Sequence, residues 1–193
     1  MPPSDRTARR REGAAGGAEP PSAPLPPAPI VVMGVSGCGK TAVGTALAAA
    51  LGARFVEGDR LHPPENVARM SRGVPLTDAD RAGWLDAVGA TLATAGETGA
   101  VASCSALKRA YRDRLRRLAP GVRFVYLAVD RETARRRVAG RNGHFMPANL
   151  VDSQFADLEP PGPDEAAATI DATLPLPEVV AAARAAAAPR RTA

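Results

Sequence analysis

From residue 30 onward, short apolar or β-branched runs alternate with longer stretches in which apolar residues recur every three or four positions. The short runs predict strands over 30–34, 54–57, 100–103, 122–129 and 169–172. The longer stretches predict helices over 39–51, 66–71, 78–95, 108–118, 131–140, 148–158 and 178–188. Local signals set several ends: Gly52 stops the first helix, Pro189 ends the Ala-rich last one, and Thr77 with Asp80 has the spacing of a capping box ahead of Trp84, Leu85, Val88 and Leu92. Strands alternating with helices predict an α/β domain, a parallel sheet with helices on both faces. Right-handed crossovers gather ligands at the carboxyl ends of parallel strands, so segments 34–41, 57–62, 103–108 and the one after Val129 should share one rim.

The first 29 residues break this pattern. They hold eight prolines and no apolar periodicity, too little to offset the entropy of ordering, and are expected to form a disordered tail, as is 189–193. One domain over 30–188 remains, and 45% hydrophobic residues in a chain of 193 suffice for its core. No run approaches the roughly 20 apolar residues of a membrane span, and the N-terminus has no apolar stretch of the signal-peptide kind, so a cytoplasmic protein without a membrane partner is expected. The formal charge of +5 invites a nucleic-acid reading. However, residues 1–29 carry four Arg against three acidic residues, and Arg190 and Arg191 add two more, which leaves only +2 for the folded part. With 4% aromatic residues this argues against a nucleic-acid partner and in favour of a small anionic substrate. Two Cys and two His imply neither a disulfide framework nor a zinc site. Of 25 basic residues 23 are arginine, so Lys40 and Lys108 stand out.

Directly after the first strand, Gly34-Val35-Ser36-Gly37-Cys38-Gly39-Lys40-Thr41 matches G-x-x-x-x-G-K-[ST], the phosphate-cradling loop of nucleotide-binding proteins, in the strand-to-helix setting the motif requires. Glycines let backbone N–H groups turn inward around a polyphosphate, and the helix that follows points its positive end at the same anion. Lys40 is placed to reach the β- and γ-phosphates and Thr41 to offer a hydroxyl to Mg²⁺. ATP and Mg²⁺ are therefore the expected cofactors. Cys38, inside the loop, reads as an inert small side chain.

The rim supplies groups for an acceptor. Phosphoryl transfer needs a hydroxyl aligned with the γ-phosphate, and a carboxylate can orient that hydroxyl or accept its proton. Asp59 is the candidate, with Glu57 as support for the metal; capping of the next helix is the alternative for each. His62 reads either as a substrate contact or as a residue that fixes its own loop. Ser105 and Lys108, at the end of the third strand, suit a hydroxylated, carboxylated acceptor; the alternatives are a helix cap for Ser105 and surface solvation for Arg109 and Arg112, favoured for Arg109. Arg137 and Arg141, one helical turn apart, can meet one phosphate from a mobile flap, whereas Arg131, Arg135 and Arg136 read as a solvated basic face.

These blocks, with Gly73-Val-Pro-Leu-Thr-Asp-Ala-Asp-Arg81, Trp84, Cys104-Ser-Ala-Leu-Lys108, Tyr111-Arg-Asp113, Gly143-His-Phe-Met146 and Ser153-Gln-Phe155, follow the order seen in gluconokinases. The chain resembles that family over about residues 30–188. The resemblance implies ATP-dependent phosphorylation of D-gluconate to 6-phospho-D-gluconate by a P-loop kinase fold with a five-stranded parallel sheet, a mobile lid at about 135–147 and often a homodimer. It also implies that Gly37 to Thr41 hold ATP and Mg²⁺, that Asp59 faces the acceptor hydroxyl, that Arg81, Ser105 and Lys108 contact gluconate, that Arg137 and Arg141 are lid arginines, and that 159–164 is the adenine-side loop. Glu57 stands where many relatives have Asp. A kinase for another small hydroxy acid such as shikimate, or a nucleotide switch of low turnover, are the alternatives; the rim's acceptor-side groups argue against a switch.

Overall fold

A computed structural model describes residues 28–140 and 149–188. Residues 1–27 and 189–193 of the expected tails, Arg141 and the Gly143–Met146 motif lie outside the described residues. Of the expected lid, 135–140 fall within the described residues, in and just after a helix, and 141–147 outside them.

Five strands, β1 (Ile30–Met33), β2 (Arg54–Glu57), β3 (Ala100–Ser103), β4 (Arg123–Ala128) and β5 (Ala167–Asp171), form one parallel sheet in the order β2-β3-β1-β4-β5. Among the described residues, seven α-helices accompany them: α1 (Lys40–Leu51), α2 (Pro64–Ser71), α3 (Asp78–Ala93), α4 (Arg109–Leu118), α5 (Arg131–Ala139), α6 (Asn149–Asp157) and α7 (Leu176–Ala187). β1 is apolar at every position because the sheet is covered twice. Ile30 and Val32 pack with Val43 and Leu47 of α1 and Val179 of α7, while Val31 and Met33 pack with Trp84, Leu85 and Val88 of α3 and Leu115 of α4.

Local chemistry accounts for most boundaries. Thr77 Oγ1 accepts the Asp80 N–H at 3.2 Å and Asp80 Oδ2 accepts the Thr77 N–H at 2.8 Å, the reciprocal cap expected ahead of α3. α1 stops where Gly52 turns left-handed, at φ 65°. α2 and α7 start two residues earlier than their apolar pattern suggests, because prolines fit the first helical turn, where an N–H has no partner. β5 begins two residues before its β-branched run: Ala167 and Ala168 have little strand preference and are extended by pairing with Phe124 and Val125 of β4.

The turn from β3 into α4 rests on a residue for which the sequence left surface solvation open. Arg112 is fully buried. Its guanidinium makes a two-pronged ion pair with Glu165 at 2.7 Å on each side, and its remaining donors reach the carbonyls of Ala106 at 3.1 Å, Leu107 at 3.0 Å and Glu159 at 2.9 Å. Ala106 is left-handed at φ 42°, a conformation costly for alanine that these bonds sustain. The arginine holds the Glu165 carboxyl down at about 2.

Because the pair is buried, removing one partner strands a charge. Glu165→Ala is expected to lower the free energy of unfolding by about 3–5 kcal/mol, read from urea titration at neutral pH. In the wild type, the stability due to Glu165 is complete above its unfolded pKa near 4.5 and declines as pH falls toward 2, so the difference between wild type and variant should shrink across that window.

Candidate active site

Parallel strands bring the loop after β1 and the ends of β2 and β3 to one rim. Gly34, Gly37 and Gly39 have φ of 138°, 86° and 101°, which lets the loop fold inward. A Cβ on Gly37 would lie 2.5 Å from the Ala134 carbonyl of α5, so the loop is backed directly by that helix. Lys40 curls back and its Nζ donates to the carbonyls of Gly34 at 3.0 Å and Val35 at 3.1 Å. Cys38 is buried in the core beneath the loop.

Thr41 Oγ1 donates to Glu57 Oε2 at 2.7 Å, and Ser103 Oγ donates to the other carboxylate oxygen of Glu57. The same Ser103 oxygen accepts the Gly58 N–H at 3.1 Å. The loop's hydroxyl and the carboxylate at the end of β2 thus form one oxygen cluster. Neither Glu57 nor Asp59 caps a helix: the chain passes through a 3-10 turn, Gly58–Leu61, and α2 begins after Pro63 with no side-chain cap.

Asp59 instead lines a cleft that is open to solvent. Ser36, Lys40, Asp59, His62, Arg81 and Ser105 all stand on its wall. Ser105 is tied to the loop through its carbonyl, which accepts the Gly34 N–H at 3.2 Å; it caps nothing, since Lys108 precedes α4. His62 stacks on Trp84 with ring centroids 4.2 Å apart, and Trp84 Nε1 donates to the Gly58 carbonyl at 2.8 Å, steadying the turn that carries Asp59. Burial lowers the His62 pKa to about 4, against a smaller opposing pull from Asp59. The imidazole is therefore neutral at pH 7, and its Nδ1 is buried without a hydrogen-bond partner.

Arg81 donates to Tyr111 Oη at 3.0 Å and to Asp157 at 3.2 Å. Lys108 is not on the cleft wall. It pairs with Asp78 at 2.8 Å, which keeps its pKa above the ordinary lysine value, and lies 3.7 Å from Asp157. Arg137 donates to the Ala172 carbonyl at 2.9 Å and is likewise off the wall. Arg131 and Arg135 are exposed as expected, yet both pair with Asp152 and so link α5 to α6.

Segment 159–164, which the family likeness puts on the adenine side, leads from α6 toward β5. Glu159 Oε2 accepts the Arg109 N–H at 2.6 Å, Asp164 pairs with Arg109, and the chain then enters the amino end of β5. Residues 172–175, between β5 and α7, occupy the carboxyl end beside Arg137. Two contributors receive no role of their own from the sequence. Ser103 ends the third strand, and Gln154 stands in the Ser153-Gln-Phe155 block of the family likeness. Yet Gln154 lines the cleft and its Oε1 accepts the Ser36 N–H at 2.6 Å.

Residues 30–161 match the AAA domain family. The chain is 54% identical to a gluconokinase of Gluconobacter oxydans over 73% of its own length and 80% of that protein's. It is 48% identical to the thermosensitive gluconokinase of Escherichia coli, over 70% of this chain and 74% of the relative. Its structure superposes on that of a gluconokinase from Sinorhizobium meliloti with a TM-score of 0.77 and 50% identity, covering 83% of this chain and 91% of the other.

The depressed pKa of His62 has a definite sign. Between pH 4 and 6.5 the unfolded chain binds a proton at this residue that the folded chain does not, so its contribution to stability is complete above 6.5 and is lost as pH falls to 4. His62→Phe keeps a ring on Trp84 and removes the titration. The urea midpoint of the wild type should therefore fall relative to that of the variant between pH 6.5 and 4, and the His62 ring resonances should titrate near 4 by NMR rather than near 6.5.

Proposed function

The chain belongs to the gluconokinase family of P-loop kinases, and from that membership we propose that it transfers the γ-phosphoryl group of ATP to the primary hydroxyl of D-gluconate, giving 6-phospho-D-gluconate and ADP. One observation carries the reading: a single cleft joins Ser36 and Lys40 of the phosphate loop to Asp59 and Ser105 from the ends of β2 and β3.

The residues present suit the nucleotide and its metal. Gly34 to Thr41 would hold the triphosphate through backbone N–H groups. Thr41 and Glu57 would hold Mg²⁺, an ion commonly bound by one or two carboxylates beside phosphate oxygens and water, and their 2.7 Å contact already gathers such oxygens. The metal's contribution is to neutralise charge on the transferring group. On the protein side, the Lys40 ammonium counters phosphate charge at the mouth of the cleft. The Asp59 carboxylate orients the acceptor hydroxyl and takes its proton. Ser105 and the neutral ring of His62 hydrogen-bond the other hydroxyls, and Arg81 receives the acid group with Lys108 behind it. Arg137 and Arg141 complete the reading as arginines that offset charge on the phosphoryl group; in support, Arg137 lies at the carboxyl ends of β4 and β5, on the helix that backs the loop. On the family likeness alone, the reading extends to a cytoplasmic homodimer that uses neither nucleic acid nor membrane.

An ADP-release assay across a panel of sugar acids and shikimate tests the substrate: gluconate should turn over fastest, and faster turnover of shikimate would reject the reading. Lys40→Ala should abolish transfer while the unfolding midpoint stays put. Asp59→Asn should reduce kcat by roughly 10²- to 10⁴-fold, with a smaller change in KM.

A further inference from the structure

Gln154 reaches from α6 to the phosphate loop across 118 residues of sequence, and its Oε1 sits 2.6 Å from the Ser36 nitrogen. Backbone N–H groups of such a loop are the donors that the motif turns toward phosphate oxygens. Ser36 is at the acceptor-facing lip, because Ser36 and Lys40 share the cleft wall with Asp59 and Ser105. An oxygen bound at the Ser36 N–H therefore faces the hydroxyl to be phosphorylated. One N–H does not make two short, well-aligned bonds at once, so a terminal phosphoryl oxygen arriving there must displace Oε1.

A displaced carboxamide remains useful. It carries two N–H donors and one acceptor at the seam between loop and cleft. Its helix is anchored by other residues: Val151 is buried in the core, Asp152 pairs with Arg131 and Arg135, and Asp157 pairs with Arg81 and Lys108. The helix is thus held independently of the bond between Gln154 and Ser36. Neutrality also matters, since a carboxylate at this point would hold the Ser36 N–H more tightly and repel the triphosphate.

We propose that Gln154 is a further catalytic residue, which yields the Ser36 N–H to the terminal phosphoryl oxygen and then donates its own N–H to that phosphoryl group, aligning it with the hydroxyl held by Asp59. The proposal rests on the reading of the loop as an ATP site and not on which acid is the acceptor.

The test uses the full chain with Gln154→Ala and Gln154→Glu. Calorimetry with Mg²⁺ and a non-hydrolysable ATP analogue, without acceptor, measures the exchange; kcat and KM with ATP and gluconate measure the transfer; urea unfolding checks the fold. Gln154→Ala should bind the analogue about two- to tenfold tighter, the worth of one competing hydrogen bond, while kcat falls about 10²-fold and the unfolding midpoint holds. Gln154→Glu should bind the analogue at least about tenfold more weakly. Equal or weaker analogue binding by Gln154→Ala, or an unchanged kcat, overturns the proposal. So does a loss of affinity that tracks a fall in the unfolding midpoint, which would make Gln154 a structural tie. Absence of analogue binding by the wild type would overturn both this proposal and the ATP reading. Preference for another acid would overturn only the gluconate assignment, because the binding arm contains no acceptor.

Discussion

β1 lies at the centre of the sheet, hydrogen-bonded in parallel to β3 on one side and β4 on the other, and the site depends on that pairing. Parallel register brings the carboxyl ends of neighbouring strands level, so the loop after Met33 meets the ends of β3 and β4 whatever their sequences. The ladder continues past the strands: Cys104 N donates to the Val32 carbonyl at 3.1 Å and Gly34 N to the Ser105 carbonyl at 3.2 Å. These bonds put an acceptor-side serine beside a phosphate loop. Burial on both faces then makes the arrangement stiff, since a change at β1 disturbs two packed layers.

Charges on the rim are arranged in opposition. Arg81 and Lys108 meet Asp78 and Asp157, and Arg131 and Arg135 meet Asp152. Such pairs add little stability where they are exposed. Their consequence is geometric: α3, α5, α6 and the Lys108 turn ahead of α4 are tied together by these side chains. Arg112 belongs to a different class. Buried with Glu165, it stabilises the strained Ala106 turn, and through that turn it determines where Ser105 stands.

The polar groups facing the cleft differ in what they offer a polyhydroxylated acid. Asp59 offers carboxylate oxygens, the His62 ring is kept uncharged by burial, Ser105 can donate or accept, and Arg81 only donates. A set mixing acceptors with donors suits several hydroxyls plus one carboxylate better than a lone charge would. The Trp84 indole supports this set from behind by fixing both the His62 ring and the Gly58 carbonyl.

What the sequence determined by itself was local. The glycines and lysine of 34–41, the capping box at Thr77 and Asp80, and the apolar periods of α1, α3 and α4 each act within one or two turns of chain, so residue type and spacing are enough to reveal them. Position at strand ends pointed to Asp59 and Ser105, family likeness added Arg81, and the structure brings all three onto one wall. Tertiary structure alone decided the partners that are distant in sequence. Arg112 and Glu165 are 53 residues apart and Ser36 and Gln154 are 118 apart; an arginine on a basic helix and a glutamine on an amphipathic one carry no local sign of burial or of a bond to the loop. The same holds for Ala167 and Ala168 in β5, which are extended because β4 offers its edge, and for Lys108, which the folded chain turns toward Asp78 instead of the cleft. Periodicity reports which face of an element is apolar, but only packing decides which polar group stands opposite another.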